Sequence, residues 1–230
     1  YGDVPYDMGH LFSSKWNGGS MVNQGFDVVE VTLDQDALKD VDLLWIADMR
    51  TELTPEEEAA LEKYIEQGGN LVFMGEPSHR ETQNKVLNKF FGLELTPLLV
   101  GPDVRFKGSL TANVLAAVPT QRSKELMYPM KNSYRIAHEN CAGIEEVENK
   151  GFKVEALVST DTTGPVWTEL ETTDFVDDTV KFNPTVGEIS KVFNTVVGLT
   201  RQVGNREQRI MVTGDADCLS NNEFVITRGV

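Results

Sequence analysis

The sequence predicts an α/β fold in which a mainly parallel sheet carries helices on both faces. Three observations point to it. Short, almost unbroken apolar runs at residues 41–49 (VDLLWIADM) and 70–74 (NLVFM) suit strands buried on both sides, as in parallel sheets. A capped amphipathic helix lies between them, and strand–helix–strand order closes a parallel pair through a right-handed crossover. Further strand-like segments beyond residue 150 extend the sheet. With 230 residues, 40% hydrophobic and 25% charged, the chain has the apolar content for one such domain over 1–230.

Residues 11–23 read as a short helix that enters, after Gly25, a β-branched strand at 26–33 (FDVVEVTL). The run at 41–49, ending near Asp48, is a central strand. The next helix carries its own punctuation: Thr54 as N-cap, Pro55 at the first helical position and Glu57 completing a capping box. Leu61, Tyr64 and Ile65 share one face, and Gly68 is the stop. The strand at 70–74 follows directly. Residues 81–91 (ETQNKVLNKFF) form a second helix, with Val86, Leu87 and Phe90 toward the sheet and Gly92 at its end. Residues 26–95 thus hold the core βαβ units.

From 96 to 150, Pro97, Pro102, Pro119 and Pro129 break short apolar stretches and no period persists, which predicts an irregular insertion. Strand character returns at 152–159 (FKVEALVS). It continues at 192–202 and 207–213, two runs joined by the turn Val203-Gly204-Asn205-Arg206 as a hairpin that completes the sheet. The alternation is that of flavodoxin-like or Rossmann-like sheets.

Charge and motifs exclude several functions. A net charge of −15, from 21 basic and 36 acidic residues, repels nucleic acid and anionic membrane surfaces. No apolar run reaches the ~18 residues of a membrane span, and no basic-then-apolar signal peptide is visible. The start at Tyr1 without Met, and the end at Thr227-Arg228-Gly229-Val230, suggest an excerpt with flanking segments elsewhere. Glycine-rich dinucleotide and P-loop patterns do not occur, so the chain is not itself an ATPase and no cofactor is expected. Cys141 and Cys218 have no metal-ligand spacing, which predicts two buried free thiols and no structural zinc or other metal site.

Ligands of open α/β sheets bind beyond the carboxyl ends of the strands. There the sequence places Asp48 and Arg50, then Glu76, Ser78 and His79, then Asp215 and Asp217. Asp48, Arg50, Glu76, His79, Asp215 and Asp217 are therefore the candidate ligand-binding residues, able in principle to hold a cation or position a proton donor. The commoner role of such residues is to cap turns and helices. In Gly75-Glu76-Pro77-Ser78-His79, Pro77 precedes the serine and no glycine follows it, so a nucleophile elbow is not matched. No catalytic residue is assigned. His10 and His138, isolated in polar or irregular segments, read as surface residues. Trp45 reads as core, whereas Trp16 and Trp167, near glycines, are aromatics whose commoner role is packing but that could stack on a peptide or glycan.

The stretch from Ile46-Ala47-Asp48-Met49-Arg50 through Thr54-Pro55-Glu56-Glu57 to Gly68-Gly69-Asn70-Leu71 resembles the extracytoplasmic auxiliary component of ABC-type transport systems associated with gliding motility. So does Arg209-Ile210-Met211-Val212-Thr213-Gly214-Asp215-Ala216-Asp217, with Cys218 where that family typically has an aromatic; Leu157-Val158-Ser159-Thr160 and Val166-Trp167-Thr168-Glu169 are also similar. The resemblance implies a class I glutamine amidotransferase-like or flavodoxin-like domain without a catalytic residue. It would stand at the periplasmic face of the inner membrane, anchored by transmembrane segments next to a permease, with any small ligand, peptide or glycan unspecified. The competing expectation is a hydrolase or amidotransferase-like enzyme built on the carboxyl-edge cluster.

Overall fold

Three parallel strands, β1 (Leu43–Ala47), β2 (Asn70–Met74) and β12 (Arg206–Thr213), form the part of the fold that positions the candidate site. They belong to a computed structural model that describes residues 8–13, 20–102, 104–106, 109–111, 113–126, 136–160, 164–171, 175 and 180–220. β1 pairs in parallel with β2, and β2 in parallel with β12. Alternation along these strands sorts side chains onto two faces. Leu44, Ile46, Leu71, Phe73, Ile210 and Val212 enter the main core, while Ala47, Val72 and Met74 enter a second cluster on the other side.

Helices cover both faces unequally. α2 (Pro55–Glu66) and α3 (Arg80–Phe91) supply Leu61, Tyr64, Ile65, Val86, Leu87 and Phe91 to the main core. The opposite face receives Met8 and Phe12 at the short α1 (Gly9–Phe12), with Phe12 edge-on to Trp45 at 5.1 Å. α2 begins as the sequence predicts: Thr54 Oγ1 accepts from the Glu57 amide, and the Glu57 carboxylate accepts from the Thr54 amide. It ends at Gly68, whose φ of +86° suits glycine. The Tyr64 hydroxyl donates to the Asn70 carbonyl and accepts from the Leu44 amide, tying α2 to β1 and β2.

The rest of the sheet departs from the expected parallel arrangement. β11 (Asn194–Val203) pairs antiparallel with β12 through the predicted hairpin, and every pair beyond it is antiparallel. The ten-stranded sheet runs β1-β2-β12-β11-β8-β3-β10, where β8 is Ala142–Glu146, β3 Leu93–Val100 and β10 Trp167–Thr168. A branch from β11 continues through β9 (Lys153–Thr160) to β6 (Val114–Pro119) and β7 (Ile136–Glu139). Parallel pairing is confined to β1, β2 and β12, with α2 as the crossover between β1 and β2.

Two further expectations are corrected. The segment 96–150 is not an irregular insertion: it carries most of β3, all of β6, β7 and β8, the small hairpin β4 (Val104–Phe106) and β5 (Ser109–Thr111), and α4 (Gln121–Leu126). Pro97 lies inside β3 and Pro119 ends β6, where prolines do not forbid pairing. The strand expected at 26–33 does not form; Phe26 and Val29 are 54% and 70% exposed, and only Val31 and Leu33 reach the core. Its composition is strand-like, yet among the described residues it pairs with no strand. The helix expected at 11–23 appears only as α1 and a 3-10 turn at Val22–Gln24, with 14–19 outside the described residues.

Candidate functional site

All the predicted site residues follow the carboxyl ends of β1, β2 and β12, so the parallel block brings them to one edge. Asp48, just past β1, adopts φ of +45°, a left-handed conformation that is uncommon outside glycine. Its amide donates to the Met74 carbonyl at 3.0 Å, and its buried carboxylate is shared. One oxygen accepts from Arg50 Nε and the other from His79 Nδ1, each at 2.8 Å. Ser78 Oγ is 3.3 Å from that same Nδ1. A base for the serine would need a free ring nitrogen, and this one already gives its proton to Asp48, so the contact does not activate a nucleophile.

Glu76 sits between the other carboxylates. Its amide donates to Gln83 Oε1, and Gln83 Nε2 donates to the Met49 carbonyl, so one fully buried glutamine on α3 clamps the ends of β1 and β2. Burial, reinforced by Asp217, Asp215 and Asp48, pushes the Glu76 carboxyl up to about 8. Its Oε2 is buried with no hydrogen-bond partner among the described residues.

Asp215 ends the late motif. Gly214 lets the chain turn against β8: a Cβ there would meet the Ala142 carbonyl oxygen at 2.0 Å. Gly214 donates to Thr195 O and accepts from the Ala142 amide, which seats the turn between β11 and β8. Asp215 Oδ1 accepts from the amides of Asp217 and Cys218, and Oδ2 accepts from His138 Nδ1 at 2.9 Å. His138 Nε2 lies 3.4 Å from Thr195 Oγ1.

His138 is thus not a surface residue: it is 2% exposed, carried inward by β7. Sequence reading missed it because β7 lies in the stretch taken as irregular, and no local pattern links it to Asp215, 77 residues on. Both cysteines are free, but Cys218 is only partly buried while Cys141 is fully so. Burial, then the nearby Asp215, Cys218 and Glu76, pushes the Cys141 thiol up. Its Sγ–H points to the Ala142 carbonyl at 3.1 Å. Trp167 takes the packing role rather than the stacking one: it is 6% exposed, packs on Val100 and donates to Glu169 Oε2 at 3.3 Å. Trp16 and the His10 side chain lie outside the described residues.

Residues 3–130 match a family described as an ABC-type uncharacterized transport system. No curated protein matches the chain. Among solved structures, the N-terminal domain of mmIFT52 is similar at 14% identity and a TM-score of 0.57, with 89% of this chain and 80% of that one covered. A ThuA-like protein from Bacteroides uniformis aligns at 16% identity and a TM-score of 0.43, covering 84% and 70%. A cytoplasmic protein from Salmonella typhimurium aligns at 11% and 0.48, covering 87% and 74%. The likeness to the mmIFT52 domain is one of fold alone.

Proposed function

Because this chain belongs to the family of ABC-type uncharacterized transport systems, we propose that it is a non-catalytic auxiliary domain that scaffolds or binds within an ABC-type transport or export complex. In this reading it stands at the extracytoplasmic face of the membrane, next to a permease and held by transmembrane segments, as in gliding-motility systems. The family match over residues 3–130 carries the proposal. The edge chemistry supports it. Asp48 is shared between Arg50 and His79, Gln83 clamps two strand ends, and Asp215 caps its own turn, so these polar groups mainly hold loops together. Among the described residues no helix is long and apolar enough to cross a membrane.

The test joins three measurements. Affinity-tagged chain in its native membranes is expected to co-purify with an ABC permease subunit, and fusion reporters should place it outside the cytoplasm. The purified chain should turn over no ester, amide or glycoside. Turnover that disappears in Glu76→Gln would overturn the proposal in favour of a hydrolase or amidotransferase-like enzyme. One observation favours that second reading: a Glu76 carboxyl held near 8 has the protonation of a general acid at neutral pH.

A further inference from the structure

Three donor types meet behind the sheet edge. His138 Nδ1, Asp215 Oδ2 and Cys218 Sγ lie within 4.8 Å of one another. His138 and Asp215 are almost fully buried, and Cys218 is partly so. They come from β7 and from the turn after β12, segments distant in sequence that are fixed against each other by the fold. The spacing argument from sequence excluded a zinc site built on the two cysteines; it had no means of detecting a mixed nitrogen, oxygen and sulfur set assembled by tertiary contact.

We propose that His138, Asp215 and Cys218 form a binding site for one divalent transition-metal ion of the zinc class. Such ions take imidazole, carboxylate and thiolate in a tetrahedron, with bonds of about 2.0–2.3 Å. Ligand atoms of that tetrahedron lie ~3.3–3.8 Å apart. The His138–Asp215 separation of 2.9 Å widens slightly on binding, and rotation of Cys218 brings its sulfur in. The outer contacts a metal site needs are already present. His138 Nε2 faces Thr195 Oγ1, and Asp215 Oδ1 is held by the Asp217 and Cys218 amides, so each ligand is oriented by its other polar atom.

Charge and satisfaction point the same way. Glu76, Asp48, Asp215 and Asp217 crowd one edge, and the buried Glu76 Oε2 has no hydrogen-bond partner among the described residues. Sulfur and imidazole together select a borderline or soft ion over calcium or magnesium, which prefer all-oxygen shells. The donors come from β7 and from the turn after β12, so a bound ion ties one to the other. The proposal does not depend on the transport role: it concerns ion binding by the isolated chain, whereas the transport role concerns partners.

The reduced, chelator-treated chain is titrated with Co²⁺ and followed by absorption. The expected result is one Co²⁺ per chain, a thiolate-to-cobalt charge-transfer band, and displacement by one equivalent of Zn²⁺. Cys218→Ser should abolish the band and weaken Zn²⁺ binding at least ~10-fold, while Cys141→Ala should retain both. Because His138 is buried, its removal can unfold β7, so the partly buried Cys218 decides the matter. Absence of the band in the wild-type chain, or its persistence in Cys218→Ser, would overturn the site.

Discussion

Asp48 is a costly residue in two respects, and both costs are met by neighbours. A non-glycine φ of +45° is tolerated because the amide is anchored on Met74 and the carboxylate on Arg50 and His79. Asp48→Asn keeps the shape but puts an NH₂ group against one of two donors. Arg50 and His79 are each about one-third exposed and can turn to water, so the expected loss is ~1–3 kcal/mol in urea unfolding, below that of a fully buried pair. Glu76 makes a different prediction, about pH. Its carboxyl is pushed from 4.5 to about 8 in the folded chain by burial and by Asp217, Asp215 and Asp48. The fold then holds a proton that the unfolded chain releases. That contribution is fully present below the unfolded value and is lost as pH rises toward the folded one. In chelator, stability of the wild-type chain should fall between about pH 5 and 8, and Glu76→Gln should flatten the fall; equal slopes in both chains would show that Glu76 is ionised in the fold.

At the scale of elements, local signals were legible and distant ones were not. The capping box of α2, its Gly68 stop, the strands at β1 and β2, α3 with Gly92 and the β11–β12 hairpin all follow from residues within a few positions of each other. Thr54→Ala should cost ~1 kcal/mol in thermal unfolding, as for a lost N-cap. The strands of 96–150 were illegible because their burial comes from partners such as β8, β9 and β11 rather than from a periodic pattern. That Asp48, Arg50, Glu76, His79, Asp215 and Asp217 share one edge is legible from the strands they follow, whereas His138 is hidden in an antiparallel strand whose neighbour is set by topology. The turn at Gly214 shows how tightly such contacts are drawn. A methyl group there meets backbone, which cannot rotate away, so Gly214→Ala should destabilise by ~1–3 kcal/mol and loosen the Asp215 turn. Hydrogen exchange of the Ala142 amide, which donates to Gly214 O, reports that loosening directly.

At the scale of the whole molecule, the stretch that carries the family match supplies most of the main core but does not complete it. Residues 3–130 contain β1, α2, β2 and α3, but β12 lies at 206–213 and pairs with β2. Ile210 and Val212 of β12 pack with Leu71 and Phe73 in the main core, beside Val197 and Leu199 of β11. The hairpin also closes the end of α2. Gln208 Nε2 donates to the carbonyls of Ile65 and Gly69, and Arg201 donates to Ile65 O while stacking 4.3 Å over Phe152. A fragment ending at residue 130 would expose one edge of β2, strip those core side chains of their partners and leave the α2 carbonyls to solvent. Each fully buried aliphatic side chain so exposed loses roughly 1.5–3 kcal/mol, and several such losses together reach the ~5–15 kcal/mol total stability of a domain of this kind. The fragment 1–130 should therefore bind a hydrophobic dye and unfold without a cooperative transition, while the full 230-residue chain unfolds cooperatively. A sharp transition in the fragment would show instead that β1, β2 and the two helices are stable without β12, and that the late hairpin is an addition to a self-sufficient unit.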